Sequence, residues 1–329
     1  MTNSFSEPQS EAQPASWTRA VAFLAQWGSL LALVGATLCT FGAARWWAFE
    51  LSTHFEVQYL IGSTCAFLLA GFRRSLVGLL LAGVLCGVHG VRVLALQGDA
   101  VEVEAGSGSE PALRLLLSNV QTSNQDSRSL LSLIADEGPD VICLLEVDRR
   151  WLDDLQSIET TYPHFERHPR NDNFGIAIYS KIPFEDVDRI DLGTGAKPSI
   201  RAQVEHAGRP LHILVTHPVP PIGRYNGQSR DGQIEDLANL ARDLGPRTVI
   251  AGDLNATPWT PVFEQLLETG NVRDSMQGYG VHATWPARWP SWLRIPIDHI
   301  LLGEDVMLLD RRVGPFTGSD HRPVIVDLR

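Results

Sequence analysis

The chain has 329 residues, 44% of them hydrophobic and 20% charged, with a formal net charge of −11 at neutral pH. That length exceeds the usual single-domain range. An acidic balance of this size is not the footprint of a duplex-DNA binder, which carries a basic face. The four cysteines show no ligand spacing such as CxxC, so no zinc site is suggested.

Composition divides the chain into four parts. Residues 1–18 are polar and expected to form a disordered cytoplasmic tail. Residues 19–97 carry few charges and read as a membrane region with about three transmembrane helices. The first apolar run, 20–44, is long enough to span a bilayer, and it is too long for a signal peptide. The second, 58–72, is short and fits a tilted or re-entrant segment, while the third, 76–96, is a full span after a tight GFRRS turn. Arg19 and the Arg73-Arg74 pair outweigh Arg45 and Arg92, which puts the amino terminus inside and the globular part outside. Trp46 and Trp47 suit an aromatic belt at the outer interface. Cys39, Cys65 and Cys86 fall within the spans. Residues 98–111, rich in Gly, Ser and Glu, are a linker.

The globular part, 112–329, holds 22 Lys plus Arg against 30 Asp plus Glu, a net of −8. It repeats one device, an apolar strand that ends in a chemically capable side chain. LRLLLS ends at Asn119; a helix over 127–137, closed by Gly138, follows. DVICLL, with buried Cys143, ends at Glu146. Continuous apolar runs bounded by turns suggest strands buried on both faces. Residues 171–175, NDNFG, precede the strand IAIYS. A hairpin turning at Ala207-Gly208 ends in His217, and an amphipathic helix is expected over 225–243. Residues 248–259, TVIAGDLNATPW, then bring Asp253 and Asn255 to a strand end. Thr257-Pro258 and Thr260-Pro261 each offer an N-cap residue followed by a proline suited to a first helical position. IPIDHILL carries Asp298 and His299, and GSDHRPVIVDL carries Ser319, Asp320 and His321 into the last strand. Each residue alone is compatible with a turn; their recurrence at strand edges gathers hard oxygen ligands and imidazoles on one rim, as metal-assisted phosphoryl chemistry needs.

The ordered series NV at Asn119, LLEV at Glu146, TH at His217, GDLN at Asp253 to Asn255, IDHI at Asp298 and GSDHRPV around Ser319 to Pro323 resembles the endonuclease/exonuclease/phosphatase superfamily. The apolar spans before it resemble the bacterial membrane-anchored members. The resemblance implies a four-layered α/β sandwich, two mixed β-sheets with outer helices, preceded here by the transmembrane helical region. It implies that Glu146, Asn119 and Asp320 hold Mg²⁺, or Mn²⁺ in its place. Asp253 would orient or deprotonate the attacking water and Asn255 would position it or touch the phosphate. Asp298 would pair with His321, whose imidazolium donates to a phosphate oxygen, and His217 would be the second imidazole.

The expected protein is therefore a metal-dependent phosphodiesterase or phosphatase, integral to the bacterial cytoplasmic membrane, with its catalytic domain on the extracytoplasmic side. The tether, the negative charge and a compact domain, with little room for the long loops by which nucleases of this family grip a duplex, favour a lipid-linked phosphoester over nucleic acid. Trp285, Trp289 and Trp292 before Asp298 either pack on the domain or dip into the interface. An extracytoplasmic nuclease and a non-catalytic binding module are the alternatives.

Overall fold

A computed structural model describes residues 16–98, 112–195 and 197–329. Residues 1–15 of the expected tail and 99–111 of the expected linker lie outside the described residues. Helix α1 (Ser16–Phe41) begins inside the expected tail and is followed by α2 (Trp47–Thr53), α3 (Glu56–Phe72) and α4 (Leu76–Leu94). Two stretches, Phe23–Phe41 and Leu76–Gln97, are long and apolar enough to cross a membrane. The middle segment meets that test only as the bent pair α2 and α3, which join at 65°.

Charges buried among apolar helices must be partnered, and here they are. The Glu56 carboxylate, fully buried near the start of α3, accepts from His89 Nδ1 and from Arg92, both on α4, at 2.5 Å each. His89 Nε2 meets Thr37 Oγ1 at 2.9 Å, and Arg92 also donates to Thr40 Oγ1 at 3.0 Å. One polar knot thus ties α1, α3 and α4 together at a single end.

The remaining elements build two six-stranded sheets. They run β1 (Leu113–Asn119), α5 (Ser127–Glu137), β2 (Val141–Leu145), α6 (Arg149–Asp154), β3 (His164–His168), β4 (Ile176–Ser180), β5 (Phe184–Leu192), β6 (Lys197–His206), β7 (Arg209–Thr216), α7 (Arg224–Leu244), β8 (Thr248–Asp253), α8 (Pro261–Gly270), β9 (Val272–Asp274), β10 (Asp298–Gly303), β11 (Leu308–Val313) and β12 (Val324–Leu328). The first sheet has the order β11-β12-β1-β2-β4-β3 and the second β5-β6-β7-β8-β10-β9. Each is mixed, with one parallel pair at its middle: β1 with β2, and β7 with β8.

Alternation along the strands explains the layers. Leu113, Leu115 and Leu117 with Val141, Cys143 and Leu145 face Ile213, Val215, Val249 and Ala251 across the space between the sheets. The intervening residues Leu116, Ile142 and Leu144 pack outward on Leu130, Leu133 and Trp151 of α5 and α6. On the other side Leu214, Ile250 and Leu301 pack on Leu237, Ala241 and Phe263 of α7 and α8. Strands covered on both faces have no polar alternation, which is why these runs are continuous in sequence. The result is the expected four-layered α/β sandwich.

Local signals behave largely as their chemistry requires. Asp126 caps α5 by accepting from Ser129 N at 3.2 Å, and Gly138 closes it in the left-handed region (φ 56°). Ala207 and Gly208 both take positive φ between β6 and β7, the geometry of a tight two-residue hairpin. The paired Thr-Pro signals differ. Only one helix starts, at Pro261, and Thr257-Pro258 forms a turn before it. Thr260 occupies the cap position without capping; its hydroxyl donates to Thr257 O at 2.8 Å instead.

Candidate active site

Topology brings the strand ends together. The parallel pair β1–β2 delivers Asn119 and Glu146 at its carboxyl edge, and the parallel pair β7–β8 delivers His217 and Asp253 at its own. Strand β10 runs antiparallel to β8, so its first residue, Asp298, stands opposite Asp253. Strand β12 runs antiparallel to β1, with Val324 opposite Leu117, so His321 falls just beyond the end of β1. Residues more than 200 positions apart therefore share one rim because the sheets are stacked with these edges on the same side.

The contacts are specific. Asn119 Nδ2 donates to Glu146 Oε1 at 3.0 Å and to Asp253 Oδ2 at 3.2 Å, bridging the two sheets. Asp253 Oδ2 also lies 3.4 Å from His217 Nε2 and 3.6 Å from His321 Nε2. His321 Nδ1 donates to Asp298 Oδ2 at 2.8 Å, which fixes the orientation of the ring. Ser319 Oγ donates to Asn119 O at 2.7 Å and accepts from His321 N at 3.0 Å, stitching the His321 turn to β1. Asn255 sits in the left-handed region (φ 48°), its N–H on Asp253 Oδ1 at 3.0 Å and its Nδ2 on Pro218 O at 3.0 Å. Asp320 stands on the rim with Oδ2 accepting from Trp285 Nε1 at 3.2 Å.

The ionisation states follow from this crowding. Burial works against charge on His321, but the carboxylates of Asp298 and Asp253 outweigh it and push the imidazole up to about 10. Burial likewise opposes charge on His217, and its contact with Asp253 and the charge of Glu146 lift it above the ordinary value. For Asp253, burial favours the neutral acid, yet the two imidazoles and the Asn255 N–H hold it down to about 2. A raised His321 contributes stability that is complete below 6.5 and lost as pH rises toward about 10. A depressed Asp253 contributes stability present above 3.8 and lost as pH falls toward about 2. Without its carboxylate partner, His321 returns toward the ordinary histidine range. Asp298→Asn is thus expected to lose less stability than wild type between pH 6.5 and 10, read from urea midpoints of metal-free protein in EDTA.

The donor set fits a hard divalent cation. Four carboxylates, from Glu146, Asp253, Asp298 and Asp320, gather around two imidazoles, and among the described residues neither lysine nor arginine pairs with Glu146. Such a surplus of oxygen charge is what Mg²⁺ or Mn²⁺ neutralises. Asp253, Asp298 and His321 each offer a ligand atom within 4.8 Å of the others, so this buried group could also hold an ion. Asp298 Oδ2 accepts from His321 Nδ1 while its buried Oδ1 has no hydrogen-bond partner, and the two Glu146 oxygens, on the more open side of the cluster, accept from Asn119 Nδ2 and Thr122 N.

Several supporting residues escaped the sequence. Glu146 has positive φ (63°), and Thr122 holds it there, donating from Oγ1 to Glu146 O at 2.9 Å and from N to Oε2 at 3.3 Å. The Phe174 ring centroid lies 5.2 Å from that of His217, and Lys197 Nζ lies 3.7 Å from the Phe174 ring centroid. These explain the NDNFG stretch, which the motif series left without a role. Arg311, wholly buried, sets its charge near Asp274 and Asp298. A lone arginine in an edge strand gives no sequence signal of that kind.

Comparison with known proteins agrees with this geometry. Residues 116–321 match the model of the Endonuclease/Exonuclease/phosphatase family. Over 126 residues the chain is 25% identical to phospholipase C of Staphylococcus aureus, a match covering 34% of this chain and 38% of that protein. The chain thus spans well under half the length of the phospholipase C sequences it matches. Among solved structures, the human Nocturnin catalytic domain with bound sulfate superposes with a TM-score of 0.56 at 19% identity, covering 67% of this chain and 95% of that one. A 3′ phosphatase from Neisseria bound to a product DNA hairpin gives 0.55 at 21%, covering 66% and 99%. At these identities the structural likeness speaks for the fold.

Proposed function

The chain belongs to the endonuclease/exonuclease/phosphatase family, and from that premise we propose a metal-dependent phosphoesterase, held in a membrane by its amino-terminal helices and acting on a phosphoester carried by a lipid outside the cytoplasm. The observation that carries the hydrolytic reading is Asp253 Oδ2 within reach of Asn119, His217 and His321 at once. In this reading Glu146, Asn119 and Asp320 hold Mg²⁺ or Mn²⁺. When bound, the ion offsets the charge that develops on the phosphoryl oxygens. Asp253, kept ionised by the imidazoles, orients the attacking water; a carboxylate of such low basicity positions the water more than it stores the proton. Asn255 shapes the turn that presents Asp253. The His321 imidazolium, with Asp298 behind it, donates to a phosphate oxygen, and His217 supports the phosphate or the leaving group.

Three observations support a lipid substrate. The apolar helices lie against the domain on the side of the tryptophan loop: Gln58, in the first turn of α3, donates to Trp292 O at 3.2 Å and to Arg294 O at 3.1 Å. Trp289 and Trp292 in that loop are each 53% exposed, as interfacial aromatics are. The partial match to a phospholipase C points the same way. The net charge of the domain, −8, is opposite in sign to the balance that nucleic-acid binders carry.

The test is a side-by-side hydrolysis assay of the full chain in detergent with Mg²⁺, and His321→Ala as control. Substrates are single- and double-stranded DNA, RNA, phospholipids and a polyprenyl pyrophosphate. Turnover confined to a lipid substrate and lost in the control is the expected result. Faster cleavage of nucleic acid would replace this reading with that of a membrane-tethered nuclease.

A further inference from the structure

The amino-terminal helices do more than lie beside the domain; their polar contacts converge on the loop that follows Asp253. Arg230, on α7, is wholly buried and reaches both ways. Its Nη2 donates to Glu50 Oε1 of α2 at 2.5 Å, and its Nη1 donates to the carbonyl of Asn255 at 3.0 Å. Two residues on, Thr257 Oγ1 hydrogen-bonds His54 Nδ1 at 3.3 Å. Trp259 Nε1 then donates to Arg92 O at 3.2 Å, and Arg92 belongs to the Glu56–His89 knot. From within the domain the same loop has His299 Nε2 on Ala256 O at 2.9 Å.

This arrangement has a mechanical reading. Asn255 is held in the left-handed region, a conformation that a non-glycine residue keeps only when its surroundings over-determine it. Its N–H is what orients Asp253 Oδ1. A guanidinium spans two acceptors in a fixed fork, but a buried one stays in place only while its counter-charge does. Without Glu50, the remaining carboxylate on Arg230 is Asp231, bound through Nε at 2.7 Å and half exposed, which draws the guanidinium toward solvent and off Asn255.

We propose that the amino-terminal helices are a positioning element of the active site, with Glu50 fixing Arg230 so that Arg230 holds the Asn255 carbonyl and, through that turn, the Asp253 carboxylate. Glu50 and Arg230 are positioning residues, since neither touches the reacting atoms. The proposal rests on the hydrolytic reading above for its kinetic consequence, and on the contacts alone for its structural one.

The experiment compares wild type with Glu50→Gln in the full chain in detergent, by hydrolysis of bis(p-nitrophenyl) phosphate with Mg²⁺ and by hydrogen exchange without substrate. The expected result is a fall in kcat on the order of tenfold or more, with KM changed by less than about threefold, because a misplaced turn costs orientation and not binding. Amides of residues 254–260 exchange faster in the variant, and those of β1 and β2 do not. Arg230→Lys, which keeps the charge but lacks the fork, gives the same pattern and serves if Glu50→Gln yields little folded protein. Unchanged exchange over 254–260 in both variants overturns the proposal, as does acceleration spread evenly over the domain, which a purely structural contact would produce. If wild type hydrolyses none of the substrates, the phosphoesterase reading fails while the exchange comparison still decides this one.

Discussion

Replacing Asp253 with asparagine is expected to remove most hydrolysis and to leave the fold standing: kcat on bis(p-nitrophenyl) phosphate should fall by about 10²-fold or more, the scale for a misplaced reacting group. Geometry is the reason for so large an effect. One oxygen, Oδ2, sits between Asn119 Nδ2, His217 Nε2 and His321 Nε2. Removing its charge therefore disturbs all three of these neighbours. The fold survives because Asn can still accept from the Asn255 N–H at Oδ1 and His321 keeps Asp298. The stability cost at neutral pH should stay below about 2 kcal/mol, the scale of one altered buried hydrogen bond. The measurements are steady-state rates, a urea midpoint and Mg²⁺ binding by calorimetry. A rate within tenfold of wild type would move activation of the water to another group.

Glu146 yields the second large effect, and here activity and stability should part company. Glu146→Gly is expected to weaken Mg²⁺ binding and to cut hydrolysis at fixed metal by 100-fold or more, as the loss of a charged ligand does. Yet Glu146 occupies the left-handed region, at a cost on the order of 1 kcal/mol for a residue with a side chain. Glycine relieves that cost, so the metal-free variant should be no less stable than wild type despite losing a contact to Asn119. Glu146→Ala, which loses the carboxylate and keeps the strain, should be the less stable of the two. The pair of urea midpoints in EDTA, with the two Mg²⁺ titrations, checks both halves. Full Mg²⁺-dependent turnover in either variant would refute the ligand role.

Much of the catalytic domain was legible in the sequence because its physics is local. Asn119, Glu146 and Asp253 announce themselves as polar ends of runs buried on both faces, and Ala207-Gly208 and Gly138 are backbone positions whose conformations their residues favour. The Thr257-Pro258 signal failed for a reason found elsewhere in the chain. Thr257 is drawn to His54, 203 residues earlier, and its carbonyl accepts from Thr260, so the turn is shaped by partners that no local pattern contains. The same holds for Arg230 and Glu50, 180 residues apart, and for Trp285 on Asp320. A buried arginine in an amphipathic helix reads as a solvated charge until its partner is known. The expected division of the chain into a membrane part and a globular part rested on composition, which does not show that the amino-terminal helices pack against the loop after Asp253.

The place of β12 has a consequence for when, as the chain is made, the cluster of side chains on the rim is completed. That strand lies between β11 and β1, and His321 arrives immediately before it. A nascent chain that has emerged through β10 already possesses Asn119, Glu146, His217, Asp253 and Asp298, but β1 still lacks one neighbour and Asp298 has no imidazole to hold. Translation proceeds from the amino terminus at about 5–20 residues per second, so the apolar helices are made long before the ring that completes the cluster. The cluster around Asp253 is therefore complete only once residues 321–328 have been made and β12 has paired with β1.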